Sequence, residues 1–368
     1  MESNSQSDAR DAAEQRDDLL SFLSLFLSTH QSATTDMWAS QVLLDRFIPW
    51  LRNPTGAGSS FEVHVVGADV LQKGLHAALP AKLFDGRESV ALKRPIMTGD
   101  RASEVDHHIW ASLATEFRIL ANPLLGCHPN IVKLLGNVWQ SAGAAQATFA
   151  PVLVLEAASG NLKELYSSSG PGIKLYEAIE LFSGIAFGLH ALHKCGVIHG
   201  DLKPENILIF RDNDGSCTAK LADFGSSVIL RDMQSSVRLS GGTEYWRAPE
   251  YNDTLLMSDL IAVEIYSFGL LMLDFFVPGM AQESQKHLRD IVARGSTSES
   301  AHELLQGLAY ELISDTYDLE QLAQLIRQCL MVAPSMRPQT MEDVIERLQD
   351  LLGASEVDQE DSEPTNGE

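Results

Sequence analysis

Residues 198–208, which read I-H-G-D-L-K-P-E-N-I-L, constrain the fold of this chain more than any other stretch. They carry the carboxylate of Asp201, the ammonium of Lys203 and the amide of Asn206 close together. Apolar residues on both sides predict that this loop is anchored to a hydrophobic core. An amide oxygen is a suitable ligand for Mg²⁺. Polar groups fixed in this way suit a reaction that depends on positioning and charge neutralisation, as phosphoryl transfer does.

Length and charge limit the class of protein. The chain has 368 residues, of which 45% are hydrophobic, so it can bury one large core or two lobes. Its formal net charge of -23 argues against binding to nucleic acid or to an anionic membrane, since both need a basic surface. Acidic residues are dense in 1–20 and in 354–368, and the remaining body is acidic as well. We therefore expect no nucleic-acid partner.

The cysteines and the apolar stretches predict where the chain resides. Four cysteines lie far apart, without a C-x-x-C pair: Cys127, Cys195, Cys217 and Cys329. This distribution favours reduced thiols and an intracellular, cytoplasmic location. Residues 255–276 are apolar, but three acidic side chains interrupt them. We therefore expect a buried core helix there and no transmembrane segment.

The first 60 residues differ in character from the rest of the chain. Residues 1–18 are polar and acidic, which predicts disorder. Apolar residues in 19–52 cluster at helical spacings, which predicts one or two helices that end near Asn53-Pro54. Two interpretations are open. These helices pack on the main domain as an appendage, or they form a docking element for a protein partner.

Strand patterns come first in the main body, and helix patterns follow. Strands are predicted at 61–66, 77–84, 89–93, 131–138 and 151–155, and a helix at 102–120, giving a five-stranded sheet that carries one helix. Asn161 and Glu164 are then spaced as a capping box. Further helices are predicted at 175–196, 259–276, 285–293, 300–313, 318–331 and 340–352. From Gly353 onward the acidic sequence predicts an unstructured tail.

Further motifs stand at fixed distances from the 198–208 loop. Lys93 ends V-A-L-K on a predicted strand, and Glu116 follows 23 residues later on the predicted helix. Asp223 opens D-F-G 22 residues after Asp201. H-P-N-I-V at 128–132, A-P-E at 248–250 and P-S-M-R-P at 334–338 complete the set. Each motif alone is a weak signal, but their order and spacing together are specific.

Together these motifs resemble the eukaryotic protein kinase domain of the serine/threonine type, in particular its tyrosine-kinase-like group. The resemblance covers residues 61–352 and implies an α+β, bilobal fold. It divides the chain into an N-terminal extension (1–60), a small antiparallel-sheet lobe with one helix (61–157), a larger, mostly helical lobe (158–352) and an acidic, disordered tail (353–368). The implied activity moves the γ-phosphoryl group of ATP, with Mg²⁺, to a Ser or Thr hydroxyl of a protein substrate in intracellular signalling.

The resemblance also implies a role for each motif residue. Asp201 would act as the base toward the acceptor hydroxyl, and Lys203 would balance the developing charge. Lys93, held by Glu116, would bind the ATP phosphates. Asn206 and Asp223 would bind Mg²⁺. The nucleotide pocket would also include Gly74, Leu79, Ala91, Glu156, Ala158 and Leu208.

Two further pairings follow from the resemblance. Lys203, with the Thr243 hydroxyl linking it to Asp201, is typical of serine/threonine kinases and not of tyrosine kinases. Glu250 would form a buried ion pair with Arg337. A separate group of residues could in principle bind zinc, namely His190, His193, Cys195 and His199. Because two of these histidines stand where kinases also carry packing histidines, we expect packing there and not zinc.

Three departures from the family pattern bear on activity. The segment aligned with the glycine-rich loop, 72–79, keeps only Gly74 of three expected glycines, which predicts weak ATP binding. Gly200 replaces the arginine that usually receives the phosphate of a modified activation loop, which predicts activity independent of loop phosphorylation. Glu264 replaces the usual aspartate. A pseudokinase, which binds partners or nucleotide without transferring phosphate, is therefore the alternative function.

Overall fold

The chain divides into two compact units in the computed structural model. The described residues are 54–57, 61–67, 87–96, 105–141, 149–168, 173–230, 236–239, 241–276 and 317–360. The first unit contains the residues up to Cys127 together with Val132–Ala158, and the second contains His128–Ile131 and the residues from Ser159 onward. The N-terminal extension up to residue 53, the predicted strand at 77–84 and the predicted helices at 285–293 and 300–313 lie outside the described residues.

The first unit is an antiparallel sheet that carries one helix. Its strands are β1 (Gly56–Ala57), β2 (Phe61–Gly67), β3 (Ser89–Pro95), β4 (Leu134–Ser141) and β5 (Phe149–Glu156), in the order β1-β2-β3-β5-β4, and its helix is α1 (Val105–Leu120). The sheet therefore has five described strands, but one of them is the short β1, which the sequence pattern did not predict. Both residues of β1 pair with the antiparallel strand β2, which makes β1 the edge strand of the sheet.

Periodicity explains which residues form the core of the first unit. The predicted apolar face of α1 is buried, with Ile109, Leu113, Phe117 and Leu120 each at most 5% exposed. Strand β3 lies in the middle of the sheet, and its residues Val90, Ala91, Leu92 and Lys93 are all buried. A lysine on such a strand needs a buried counter-charge, because an unpaired buried charge is costly.

The second unit is mostly helical in its described part. Its helices are α2 (Leu162–Ser168), α3 (Leu175–Lys194), α4 (Met257–Phe276), α5 (Tyr317–Cys329) and α6 (Met341–Glu360). Short strands connect them, namely β6 (Gly160–Asn161), β7 (Val197–Ile198), β8 (Ile207–Arg211), β9 (Cys217–Leu221), β10 (Val228–Ile229), β11 (Val237–Arg238) and β12 (Thr254–Leu255). The predicted capping box at the start of α2 is confirmed, since Asn161 and Glu164 exchange backbone-to-side-chain hydrogen bonds of 3.2 and 3.0 Å.

Helices α3 and α4 form the centre of the second unit. The Phe182 ring of α3 packs against the Phe268, Phe275 and Phe276 rings of α4, with ring centroids 5.3–5.8 Å apart. Among the described residues, α3 is the one helix long and apolar enough to cross a membrane, but 56% of its apolar window is buried inside the protein. Such burial is typical of a core helix. The acid-interrupted stretch predicted to be a core helix is α4, whose Glu264 is itself buried.

Two segments, one in each unit, differ from the sequence pattern. The strand predicted to begin at Ile131 begins at Leu134, because Ile131 instead forms a bridge with Leu221. Helix α6 continues to Glu360, beyond the predicted end at residue 352. The continuation is possible because a single glycine, Gly353, costs only about 1 kcal/mol in a helix.

A buried ion pair lies beside the first turns of α4, as the family resemblance implies. The Arg337 guanidinium forms a two-pronged contact with the Glu250 carboxylate, at 2.5 and 3.0 Å. Its remaining N–H groups donate to the carbonyl oxygens of Met331, Ala262 and Val332. Every donor of the guanidinium is therefore used, which suits a side chain with no exposed surface.

Candidate active site

The loop between β7 and β8 presents the first set of candidate residues. Its apolar residues anchor it: Ile198 and Ile207 have no exposed surface and Leu202 is 3% exposed. Between them, residues Pro204–Asn206 form one turn of 3-10 helix, for which Pro204 is a suitable first residue. The polar side chains of this loop therefore start from a fixed backbone.

Asp201, Lys203 and Thr243 form a closed triangle of hydrogen bonds. Lys203 Nζ donates to Asp201 Oδ2 at 2.6 Å and to Thr243 Oγ1 at 3.0 Å. The Thr243 hydroxyl in turn donates to Asp201 Oδ1 at 2.9 Å. The predicted link through Thr243 is confirmed. Both carboxylate oxygens are thus oriented, and an ammonium lies within hydrogen-bond distance of the group that would receive a proton.

Asn206 is fixed with its amide oxygen left for a ligand. Its Nδ2 donates to the carbonyl oxygen of Asp201 at 2.8 Å and contacts Asp201 Oδ2 at 3.3 Å. Because both neighbours are acceptors, the nitrogen must be on their side. The side-chain oxygen, which is the atom that can bind Mg²⁺, is the other branch of the amide.

Asp223 has an unusual backbone conformation. Its φ of 62° lies in the left-handed region, and it is the one non-glycine residue with positive φ in the part of the chain that the structure describes. Such a conformation persists where the surroundings impose it. The following residue, Phe224, is fully buried with its ring 5.2 Å from that of His199, and it anchors the turn that presents the Asp223 carboxylate.

His199 contacts both the segment that carries Asp201 and the segment that carries Asp223. Its Nε2 lies 3.1 Å from the carbonyl oxygen of Ala222, and its Nδ1 accepts the backbone N–H of Asp201 at 3.3 Å. The carbonyl can only accept a hydrogen bond, so Nε2 carries a proton and donates it. One imidazole therefore contacts the backbone at Asp201 and the backbone directly before Asp223.

The donor set suits Mg²⁺. Asn206 and Asp223 offer one amide oxygen and one carboxylate, which are hard ligands. Within the described ranges, no group of three or more His, Cys, Asp or Glu side chains is arranged to hold a metal ion. Two protein oxygens without a full protein cage are typical of magnesium that completes its coordination with phosphate oxygens and water.

The first unit carries the second set of candidate residues. Lys93 of β3 and Glu116 of α1 form a buried ion pair, with Nζ and Oε2 2.6 Å apart and side chains 6% and 0% exposed. Helix α1 thus supplies the counter-charge that a buried lysine requires. The ammonium also lies 5.1 Å from the centre of the Phe61 ring.

The other predicted nucleotide contacts are placed as follows. Ala91 and Glu156 are buried near the facing ends of β3 and β5, and Glu156 Oε1 accepts the backbone N–H of Lys133 at 2.9 Å. Ala158 ends the first unit, and Leu208 lies on β8 of the second. The predicted glycine-loop residues Gly74 and Leu79 lie outside the described residues.

The structure explains two of the three departures from the family pattern. Gly200 has φ of +80°, and a Cβ atom there would lie 2.5 Å from the carbonyl oxygen of Ser226. A side chain at position 200 therefore conflicts with the neighbouring backbone. Glu264, despite its extra methylene group, accepts the Gly200 N–H at 2.9 Å, so the longer carboxylate still holds the loop.

Two residues near the loop escaped the sequence analysis. Tyr251 donates its hydroxyl to the Gly200 carbonyl at 2.8 Å, and His193 contacts Glu264 at 2.7 Å. His193 was interpreted only as a packing residue, and Tyr251 was not singled out. Their partners lie 51 and 71 residues away in sequence, so no local spacing could reveal either contact.

A small cleft, with space for about one water molecule, lies beside Asp201 in the second unit. Its lining includes Leu239, Thr243, Trp246, Tyr251 and Val263. The cleft has mixed apolar and polar walls. Both Asp201 and Thr243 are among its lining residues.

Comparison with known proteins agrees with this geometry. The model of the protein kinase domain family matches residues 81–347, which is well over half of the chain. The chain therefore belongs to the protein kinase domain family. The buried lysine–glutamate pair and the polar loop described above both lie within the matched residues.

The relatives found are larger proteins. Wall-associated receptor kinase 5 of Arabidopsis thaliana is 29% identical over 237 residues, which is 61% of this chain and 30% of the relative. Mitogen-activated protein kinase kinase kinase 2 of the same plant is 28% identical over 70% of this chain and 36% of the relative. A putative serine/threonine-protein kinase/receptor of Acanthamoeba polyphaga mimivirus, R818, is 27% identical over 61% of this chain and 12% of the relative. The chain thus spans little more than a third of these relatives at most.

Proposed function

We propose that this chain is a serine/threonine protein kinase that transfers the γ-phosphoryl group of Mg-ATP to Ser or Thr hydroxyls of protein substrates. The observation that carries the proposal is the hydrogen-bonded triangle of Asp201, Lys203 and Thr243. It combines a base, a cation and a positioning hydroxyl, which are the groups that phosphoryl transfer requires.

The reaction assigns a step to each of these groups. The acceptor hydroxyl donates a hydrogen bond to Asp201 and passes its proton to the carboxylate as its oxygen bonds to the γ-phosphorus. The bond between that phosphorus and the oxygen bridging to the β-phosphate breaks, and ADP leaves with the electron pair. Lys203 neutralises negative charge on the transferred group. Mg²⁺, where bound by Asn206 and Asp223, supplies charge neutralisation at the phosphates.

Lys93 is proposed to bind the α- and β-phosphates of ATP. Its ion pair with Glu116 supports this role, because the contact fixes a flexible ammonium on a rigid strand. Ala91, Glu156, Ala158 and Leu208 are proposed to line the adenine pocket. Gly74 and Leu79 are proposed to cover the phosphates.

The choice of Ser or Thr over Tyr as acceptor rests on Lys203 and Thr243. The cation at position 203 lies close enough to Asp201 to balance charge at the reacting oxygen. The name of one relative, the putative serine/threonine-protein kinase/receptor R818, supports the same choice.

Location and partners are proposed from less direct observations. We propose a cytoplasmic site of action, which the four unpaired cysteines support. Residues 19–52 are proposed as a docking element for a protein partner. The substrates are proposed to be proteins with Ser or Thr acceptors, and no nucleic-acid partner is proposed because of the acidic charge.

The pseudokinase alternative is not favoured. A scaffold has no need of the Asp201 triangle, of the oriented Asn206 amide or of the buried Lys93–Glu116 pair. These contacts cost desolvation free energy that only a function requiring them explains.

Phosphoryl transfer is tested by comparing the wild type with Asp201→Asn. We expect the wild type to move radiolabelled phosphate from Mg-ATP to itself or to a generic protein substrate, and we expect Asp201→Asn to lose transfer by about 100-fold or more. Asp253→Asn, which changes an exposed carboxylate elsewhere in the same unit, is the matched control and should keep wild-type activity. Phosphoamino-acid analysis should show phosphoserine or phosphothreonine. Transfer in neither protein, at any Mg-ATP concentration, would favour the pseudokinase.

A further inference from the structure

Both polar groups of the Gly200 backbone are held by buried side chains. Its N–H donates to Glu264 Oε1 at 2.9 Å, and its carbonyl oxygen accepts the Tyr251 hydroxyl at 2.8 Å. Glu264 is 2% exposed and Tyr251 is 5% exposed, so neither contact competes with bulk water. Since Gly200 directly precedes Asp201, these two contacts fix the two peptide groups that lead into the Asp201 Cα atom.

His193 lies behind the first of these contacts. Its Nε2 is 2.7 Å from Glu264 Oε2, the carboxylate oxygen that does not contact Gly200. The side chains of His193 and Glu264 are 6% and 3% exposed. A buried carboxylate needs donors on both oxygens, because an unsatisfied charged oxygen is costly. Helix α3 therefore completes, through His193, the support that α4 gives to the Gly200 N–H.

Tyr251 fits its position closely. A Cβ atom at Gly242 would lie 2.4 Å from the Tyr251 hydroxyl oxygen, so the hydroxyl occupies the space that glycine leaves open. The Arg247 guanidinium lies 4.9 Å from the centre of the Tyr251 ring, while its Nη2 donates to the carbonyls of Gly241 and Gly242. Burial is the main cause that raises the pKa of Tyr251 to about 12. The hydroxyl therefore stays protonated and remains a donor at any working pH.

We propose that Tyr251 and His193 are positioning residues that fix the Gly200 backbone, and through it the Asp201 carboxylate, in place of any side chain at position 200. The proposal rests on the phosphotransferase function of Asp201. Neither residue touches the reacting atoms: Tyr251 acts through the Gly200 carbonyl, and His193 acts through Glu264 on the Gly200 N–H. We call this set of contacts the Gly200 clamp.

Loss of the Gly200 clamp has a signature that general damage to the fold does not share. The Tyr251 hydroxyl donates to the Gly200 carbonyl, whereas the Lys203 ammonium donates to Asp201 and Thr243. Removing that hydroxyl should therefore lower kcat and leave KM for ATP unchanged. It should also loosen the backbone of residues 198–202, where the clamp holds the loop.

The first test replaces one hydroxyl group. Tyr251→Phe keeps the ring and its contact with Arg247, and it should lower kcat by about tenfold with KM for ATP unchanged. Tyr176→Phe removes a hydroxyl that donates to partly buried Glu177 at 3.3 Å, far from the loop in sequence, and should leave kcat unchanged. Wild-type kcat in Tyr251→Phe would overturn the role of Tyr251.

The second test uses two replacements of His193. His193→Gln keeps an N–H donor for Glu264, whereas His193→Leu keeps bulk and removes the donor. We expect kcat close to that of the wild type in the first variant and about tenfold lower in the second, with KM for ATP unchanged in both. Equal losses in both variants would mean that His193 acts only by packing, and would overturn its role.

A readout that does not need activity separates this proposal from the proposed function. In hydrogen–deuterium exchange of the full chain, a peptide covering residues 198–202 should exchange at least about twofold faster in Tyr251→Phe and His193→Leu than in the wild type. Unchanged exchange would overturn the Gly200 clamp even if the enzyme is active. Faster exchange in the two variants, together with a wild type that transfers no phosphate, would support the clamp and contradict the kinase function.

Discussion

Replacing Gly200 by alanine measures what a side chain at position 200 costs in stability, beside the backbone of Ser226. The residue has φ of +80°, where an L-residue costs about 1–2 kcal/mol. Its new Cβ atom would lie 2.5 Å from the Ser226 carbonyl oxygen and 3.3 Å from the carbonyl carbon. These are backbone atoms and cannot rotate away as a side chain can, so relief of the overlap should add about 1–3 kcal/mol. We expect Gly200→Ala to lower the free energy of unfolding by about 3 kcal/mol in total.

Gly215→Ala is the matched control for this prediction. Gly215 has φ of +91°, and a Cβ atom there would have nothing within 4 Å. It therefore shares the backbone conformation but not the overlap, and its replacement should cost only about 1 kcal/mol. Urea unfolding of both variants and the wild type, followed by intrinsic tryptophan fluorescence, gives the difference directly. That difference measures the contact with Ser226.

Activity gives the second readout of the Gly200 experiment. The new Cβ atom would displace the backbone of Ser226, which belongs to the segment after Asp223. Gly200→Ala should therefore also lower kcat, while Gly215→Ala should not. Gly200→Arg carries the same Cβ atom, so restoring the residue usual in the family should cost as much stability and should not improve activity. Equal loss of stability in Gly200→Ala and Gly215→Ala would refute the reasoning.

Three further predictions concern other parts of the chain. Arg337→Ala should lower the free energy of unfolding by about 3–5 kcal/mol, because it leaves the largely buried Glu250 carboxylate without its cation. Lys163→Ala, at an exposed ion pair, should cost at most about 1 kcal/mol, and similar costs for both variants in urea titrations would contradict this. Burial raises the pKa of the Cys329 thiol to about 12, so iodoacetamide at pH 8 should label exposed Cys127 and spare Cys329 until the chain unfolds. Rapid labelling of both cysteines, measured by mass spectrometry, would be inconsistent with the structure. Phosphatase treatment should leave activity nearly unchanged, since the loop lacks the usual phosphate-binding arginine, and a large loss in the transfer assay would show that another cation replaces it.

Local patterns predicted the parts of the structure that depend on neighbours in sequence. The apolar face of α1 follows from a period of 3.6 residues, and the Asn161–Glu164 capping box needs only a spacing of three. The Asp201–Lys203 contact is equally local. The family pattern added pairs that no local rule supplies, namely Lys93 with Glu116 and Glu250 with Arg337.

Contacts specific to this chain could not be predicted in the same way. The start of β4 moved because Ile131 pairs with Leu221, ninety residues further on, and a strand pattern does not name its partner. The left-handed backbone of Asp223 depends on the burial of Phe224 beside His199, which is likewise a tertiary effect. The end of α6 was placed too early because a glycine within a helix lowers stability without ending the helix.

The departures from the family pattern have a different meaning when they are considered together. Taken singly, Gly200 and Glu264 each look like the loss of a part that an active kinase needs. In the structure they are joined by one hydrogen bond, from the Gly200 N–H to the Glu264 carboxylate. The glycine lets the Ser226 backbone approach the loop, and the longer acidic side chain reaches both that N–H and His193. If the two changes are coupled, Glu264→Asp should lower kcat in this chain even though it restores the usual residue, because the shorter side chain cannot reach both partners. Wild-type kcat in Glu264→Asp would show instead that the two departures are independent.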